Sequence, residues 1–97
     1  MSSSVLINSF EVPEGQEEEF LKSWQAVAEL LRQAPGFLST RLHESLDPKA
    51  RFRFVNVAQW ESPQHFQAAM SSEAVQQRVH QMLGVGSPAL YRVVVDE

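Results

Sequence analysis

The sequence contains no cysteine among its 97 residues. Disulfides, thiolate nucleophiles and cysteine-ligated metal sites are therefore excluded. The sequence also lacks any run of roughly 18 to 20 consecutive apolar residues, which is the length that a membrane-spanning helix needs. Its first residues lack the basic and apolar blocks typical of a secretory signal. We therefore expect a cytoplasmic protein that does not bind a membrane.

Positive charge is scarce as well. Lys and Arg number 8 against 12 Asp and Glu, which gives a net charge of −4. We expect no nucleic-acid partner, because phosphate backbones are bound by clustered positive charge. The histidines His43, His65 and His80 match no metal-motif spacing, and no cluster of acids supports them. We therefore expect no metal site.

What the sequence does contain is an ordinary globular composition. Apolar residues make up 43% and charged residues 21% of the chain, which is typical of a folded protein and not of a disordered one. The chain is too short for two hydrophobic cores, so we expect a single domain over residues 1–97.

The spacing of apolar residues predicts the order β-α-β-β-α-β. Alternating or β-branched segments predict strands over 5–12, 37–46, 51–60 and 89–95. Helical spacing predicts a helix over 16–33 and, after Ser62 as the N-cap, helical pieces over 63–70 and from residue 72. Gly84, Gly86 and Pro88 predict a loop before the last strand.

This order favours a ferredoxin-like α+β sandwich with an antiparallel four-stranded sheet. A right-handed crossover would make the first and third strands its central neighbours, and we expect these two strands to be parallel. Helices would cover one face of the sheet. The other face would expose an apolar patch around Val55 and Val57. We therefore expect a homodimer in which two sheets pack face to face.

Two asparagines interrupt apolar strand faces. Asn8 shares its predicted face with Leu6 and Phe10, and Asn56 shares its face with Trp60. A buried carboxamide without a partner costs about 1–3 kcal/mol. Either these side chains bond to a bulge or a helix end, or they line a cavity and bind a polar ligand atom. The indole N–H of Trp60 is a second neutral donor, and together Asn56 and Trp60 could hydrogen-bond an oxyanion.

Two basic side chains are further candidates. His43 lies in the second strand on the predicted face of Phe37, Ser39 and Arg41. It is either a partly exposed sheet histidine or a general base that binds a phenol. Arg78 borders the apolar stripe of the last helix, where it is either a surface arginine or a group that closes a pocket beneath the helix.

Three segments resemble the antibiotic biosynthesis monooxygenase family. They are NSFEVPEG at residues 8–15, PGFLS at 35–39 and FVNVAQWES at 54–62, and the resemblance extends over nearly the whole chain. It implies an oxidoreductase that forms a dimeric α/β-barrel from two ferredoxin-like subunits. Each subunit would hold a pocket between its sheet and its helices.

Within the family, the pattern is most similar to the cofactor-free, quinone-forming monooxygenases of aromatic polyketide pathways. That likeness implies catalytic roles for Asn56, Trp60 and His43 and a substrate-binding role for Arg78. Phe66 stands where this branch has a pocket tyrosine. The implied reaction oxidises a small phenolic or hydroquinone-type aromatic with O2 and needs neither a metal nor a flavin.

Two other functions stay open. The haem-degrading branch of the family is similar in the first strand, where Asn8 matches a pocket asparagine. Its haem-ligating histidine falls at Arg78, near His80, and its pocket tryptophan falls at Ala69. The third possibility is a dimeric module that binds a small ligand without catalysis, with which Phe66 is compatible. Asn8 and Phe66 are substrate-binding candidates in addition to Arg78.

Overall fold

The computed structural model describes residues 4–82 and 84–97. Its elements are β1 (Ser4–Glu11), α1 (Glu17–Leu31), β2 (Phe37–Glu44), β3 (Phe54–Trp60), α2 (Pro63–Met70), α3 (Glu73–His80) and β4 (Val85–Tyr91). The four strands form one antiparallel sheet in the order β2-β3-β1-β4, and the helices pack on one of its faces. The predicted ferredoxin-like α+β arrangement is confirmed.

The first and third strands are central neighbours, as predicted, but they run antiparallel and not parallel. The crossover helix α1 joins β1 to β2, and the chain then returns between these two strands as β3. A strand that is inserted in this way runs against both of its neighbours. The resulting register places Asn8 directly opposite Asn56.

Local signals at the helix starts explain where α1 and α2 begin. Three glutamates, at residues 17–19, occupy the first turn of α1, where they interact favourably with the positive end of the helix dipole. Phe20 follows them and is buried against the sheet. Ser62 caps α2 by accepting a hydrogen bond from the backbone N–H of His65 at 3.2 Å, and Pro63 fits the first helical position.

The C-terminal strand lies earlier in the chain than predicted. The sequence predicted a loop around Gly84, Gly86 and Pro88 and a strand over 89–95, whereas β4 spans Val85–Tyr91. Gly86 and Pro88 both pair with β1 at the edge of the sheet. Proline is tolerated in an edge strand, where the ladder has a free side. Pairing with β1 therefore outweighs the low strand propensity of these residues, and the valines beyond β4 are exposed.

The hydrophobic core consists of two clusters of buried side chains. One contains Leu6, Ala58, Trp60 and Ala69, and the other contains Phe10, Phe20 and Phe54. In the second cluster the rings of Phe20 and Phe54 stack with centroids 4.9 Å apart. The two clusters meet along the central strands, at the level of the two asparagines.

The helices are short and amphipathic. None of those in the described part of the chain is long and apolar enough to span a bilayer. The cytoplasmic location that the sequence suggests stays a prediction.

Candidate functional site

The two asparagines lie side by side on the helix-covered face of the sheet, between the two core clusters. Asn8 and Asn56 are register partners on β1 and β3. The pairs on either side of them in the same face are Leu6 with Ala58 and Phe10 with Phe54, all of them buried. The structure therefore confirms that Asn8 and Asn56 share one face beneath the helices.

A cavity of about 310 Å³ opens above this pair. Asn8 and Asn56 contribute side-chain polar groups to a wall that is otherwise mostly apolar. Its larger apolar side chains are Leu6, Phe10, Trp24, Val27, Leu31, Phe66, Met70, Val79 and Met82. No acidic or basic side chain lines the cavity among the residues that the structure describes. Such a site suits an aromatic molecule with a few polar substituents.

Asn56 is held by a neighbour on the next strand. Its side chain is only 6% exposed, and its Oδ1 accepts a hydrogen bond from the hydroxyl of Thr40 at 2.6 Å. Asn56 and Thr40 also border a second, much smaller space of about 20 Å³, which Trp60 lines. Asn56 therefore lies between the main cavity and the indole of Trp60.

Trp60 is fully buried, with no exposed surface. Its ring makes edge-on contacts with Phe37 at 5.4 Å and with Phe66 at 5.7 Å between centroids. The Nε1 of Trp60 and the Oδ1 of Asn8 are buried and make no hydrogen bond within the described residues. An unpaired buried polar atom costs about 1–3 kcal/mol, so Asn8 Oδ1 gains if a polar ligand group reaches it in the main cavity. Trp60 does not line that cavity.

Gly86 on β4 completes the wall beside Asn8. A Cβ at this position would lie 2.9 Å from Asn8 Oδ1 and 2.9 Å from the ring of Phe10. Contacts this short do not occur with ordinary side chains, so glycine is what lets the edge strand pass so close to the carboxamide. The Asn8 side of the cavity thus depends on a residue without a side chain.

The structure does not bring His43 to this cavity and shows the other alternative, an exposed sheet histidine. His43 is exposed on the open face of the sheet, where its Nδ1 lies 3.3 Å from the carbonyl oxygen of Val55. A register shift between Phe37 and Ser39 also breaks the predicted face. Because of that bulge, Phe37 packs on the helix side against Trp60, away from His43.

Arg78 likewise lies outside the cavity lining. It is exposed on α3, whereas the next residue, Val79, lines the cavity. Successive helical residues are rotated by about 100° around the axis, so a residue next to an inward-facing one points along the surface. His80 is exposed at the end of α3. None of the three histidines lines the cavity.

Sequence analysis missed Thr40 and misassigned Gly86. Thr40 lies out of phase with His43 on β2, so only the pairing of β2 with β3 reveals its contact with Asn56. Gly86 lies in a segment that composition assigns to a loop, and only its pairing with Phe10 reveals its position. The roles of both residues could be recognised only from the register of the paired strands, which local sequence patterns do not supply.

Comparison with known proteins assigns the family. The family model described as antibiotic biosynthesis monooxygenase matches residues 3–81. Among curated proteins, none matches the sequence. A candidate monooxygenase of known structure from Shewanella loihica is 38% identical, with a TM-score of 0.87 and 99% of each chain covered.

Two further solved structures represent different activities. SnoaB, a cofactor-independent oxygenase from Streptomyces nogalater, is 20% identical with a TM-score of 0.88, over 99% of this chain and 97% of SnoaB. At that identity the likeness concerns the fold. A haem-degrading protein from Mycobacterium tuberculosis is 30% identical with a TM-score of 0.73, over 99% of this chain and 96% of its own. The chain belongs to the antibiotic biosynthesis monooxygenase family, and its role is that of an oxidoreductase of the monooxygenase type.

Proposed function

We propose that the protein is a cofactor-independent monooxygenase that oxidises a small phenolic or hydroquinone-type aromatic with O2. The observation that carries this proposal is the mostly apolar cavity of about 310 Å³ whose described polar side chains are the neutral groups Asn8 and Asn56. Its size lies at the lower end of the roughly 300–1,000 Å³ of small-molecule sites. That suits a molecule of two or three fused rings.

In the proposed reaction the substrate supplies the electrons. An electron-rich phenol loses its proton, and the resulting anion transfers electrons to O2 as a carbon–oxygen bond forms. The peroxide anion takes up the proton that the phenol released, and the hydroperoxide then loses water, so one oxygen atom becomes the quinone carbonyl and the other leaves as water. The Asn56 amide N–H donates to the developing oxyanion, the indole of Trp60 packs behind Asn56 at the smaller space, and the apolar wall keeps bulk water from the intermediates.

This proposal is tested by oxygen uptake with naphthols and anthrones. Asn56→Ala removes a donor that is aimed at the reacting oxygen, and loss of such a donor typically lowers kcat by about 10²–10³-fold. Trp60→Phe keeps a ring but removes the N–H, and we expect a smaller fall. Gln64→Ala, at an exposed site on α2, is the matched control. Equal rates in wild type and Asn56→Ala would remove this residue from the mechanism.

Haem degradation is the second candidate function. The 30% identity to a haem-degrading protein favours it, and Asn8 lies in the cavity as that reading requires. Against it, the described cavity lining contains no histidine that could ligate haem iron. Titration with haemin separates the two functions. Stoichiometric binding with a Soret band would favour haem degradation over quinone formation.

A non-catalytic ligand-binding role is the third outcome. Phe66 contributes an apolar ring where the quinone-forming branch has a tyrosine, and it contacts Trp60 at the cavity wall. A thermal-shift screen with phenols, quinones and haemin measures binding alone, because a ligand raises the melting temperature of the state that it binds. Ligands that stabilise the protein without any oxygen uptake would establish this role.

We also propose that the protein works as a homodimer that packs sheet to sheet. The open face of the sheet carries apolar side chains that the helices do not cover, namely Val5, Ile7, Val55, Val57 and Tyr91. A second copy of the same face would cover these side chains, and a specific interface buries about 1,200–2,000 Å² in total. Light scattering at micromolar concentration tests this expectation, and a monodisperse monomer would refute it.

A further inference from the structure

The hydroxyl of Thr40 makes the short hydrogen bond to Asn56 described above. The 2.6 Å separation joins Thr40 Oγ1 to Asn56 Oδ1. That length is typical of an O–H donating to an oxygen, whereas an amide N–H donating to an oxygen is usually near 2.9 Å. The distance therefore favours the orientation in which the carboxamide oxygen of Asn56 faces Thr40.

The direction of this bond matters because the two sides of Asn56 face different neighbours. Thr40 lies on β2, on one side of β3. The main cavity lies toward the other side, since its strand residues come from β1, β3 and β4 and none from β2. With Oδ1 turned toward β2, the amide nitrogen is turned toward β1 and the cavity.

A flipped carboxamide would reverse the character of the site. Asn8 Oδ1 is already a buried, unpaired acceptor beside the cavity. If Asn56 also presented its oxygen, two acceptors would face the ligand, and an anionic oxygen would be repelled. The terminal torsion of asparagine has two wells of similar energy, so the local backbone does not choose between them.

We propose that Thr40 is a positioning residue. It holds the carboxamide of Asn56 with the N–H groups toward the cavity, and it thereby makes the site select the phenolate form of an aromatic ligand. The proposal rests on the proposed function for the type of ligand, but not on turnover. Neighbouring Asn8 then accepts from a hydroxyl donor on the same ligand, so the pair recognises one anionic oxygen and one hydroxyl.

Thr40→Val keeps nearly the same shape but lacks the hydroxyl, whereas Thr40→Ser keeps the hydroxyl. Ser39→Ala removes a hydroxyl from the exposed neighbouring position of the same strand and is the matched control. Each variant is titrated with 4-nitrophenol, whose absorbance reports its ionisation. We expect wild type, Thr40→Ser and Ser39→Ala to prefer the phenolate, and Thr40→Val to lose roughly tenfold of that preference.

Side-chain amide signals of Asn56 give a second readout in the absence of ligand. In ¹⁵N-labelled wild type, nuclear Overhauser effects should place its amide protons near cavity residues such as Met70 or Val79 and away from the methyl of Thr40. Amide protons adjacent to Thr40, or equal phenolate preference in wild type and Thr40→Val, would overturn the proposal. So would a wild type that binds phenolate no better than phenol. Absence of oxygen uptake would defeat the proposed function alone, because neither measurement involves turnover.

Discussion

The two faces of the sheet differ in what covers them and in which residues have a polarity that does not suit their environment. On the helix-covered face, β1 and β3 bury large apolar side chains, and two asparagines lie among them. On the open face, the same strands carry Ile7, Val55 and Val57 with no helix above them. Polar side chains thus lie in the core on the helix-covered face, and apolar side chains lie uncovered on the open face.

The buried asparagines and the exposed aliphatic side chains each cost free energy, which a binding partner would offset. The asparagines interrupt the contact between the two core clusters and leave a cavity with an unpaired acceptor, which a ligand with a hydroxyl group would satisfy. The open face leaves aliphatic surface in water, which a second copy of the chain would cover. Under the two proposals above, one face binds a small molecule and the other binds a second copy of the chain.

The largest effect that tests this contrast comes from two adjacent residues of similar size. Leu6 is 4% exposed on the helix side, and Ile7 follows it on the open side. We expect Leu6→Ala to lower the free energy of unfolding by about 2–5 kcal/mol, because it deletes fully buried methyl groups and leaves a cavity. Urea unfolding of Leu6→Ala and of Ile7→Ala at the same protein concentration measures the difference between the two positions.

Ile7→Ala reports on the proposed dimer. In a monomer its loss of stability should be the smaller of the two and independent of concentration. In a sheet-to-sheet dimer the loss should grow as the protein concentration rises, because association then contributes to stability. An Ile7→Ala variant as destabilised as Leu6→Ala at every concentration would show that the two faces do not differ in this way.

A medium effect is expected on ligand binding from Gly86→Ala. The added Cβ would meet Asn8 Oδ1 and the Phe10 ring at 2.9 Å, so the wall must move into the cavity or away from β1. We expect the affinity for a phenolic ligand to fall roughly tenfold, about 1.4 kcal/mol, at an overpacked site. Isothermal titration measures it. Gly15→Ala is the control for adding a methyl group where there is room, since nothing lies within 4 Å of an added Cβ there. It does not control for backbone strain, because Gly15 has a positive φ.

The smallest effect is expected at His43. Its side chain is exposed on the face opposite the cavity, so His43→Ala should leave oxygen uptake within about twofold of wild type and stability within about 0.5 kcal/mol. Rates measured with the same phenols as for Asn56→Ala check this. A loss as large as that of Asn56→Ala would return His43 to the mechanism and would argue that the open face takes part in catalysis.

Much of the fold could be predicted from local sequence signals. Helix α2 begins at Pro63 and ends at Met70 as predicted, because Ser62 and Pro63 are strong start signals. The shared face of Asn8 and Asn56 could be predicted because each lies an even number of residues from buried neighbours on its own strand. These features depend on short stretches of sequence.

What could not be predicted depends on contacts between distant segments. The bulge after Phe37 shifts the phase of β2, so counting alternate residues puts Phe37 on the same face as His43, whereas the two lie on opposite faces. The position of β4 depends on its pairing with β1. The sequence does not indicate a strand there, because Gly86 and Pro88 are typical of loops. The Thr40–Asn56 bond crosses from β2 to β3. In each case strand register decided the outcome.

Pro88 in the edge strand β4 has a consequence for self-association. It has no amide hydrogen, so the row of amide donors along the edge strand β4 has a break at this position. Edges with such a break resist the sideways addition of strands that leads to fibrils. In the proposed sheet-to-sheet dimer, a second layer would cover the valines and the isoleucine of the open face, while Pro88 disfavours growth along the hydrogen-bonding direction at β4.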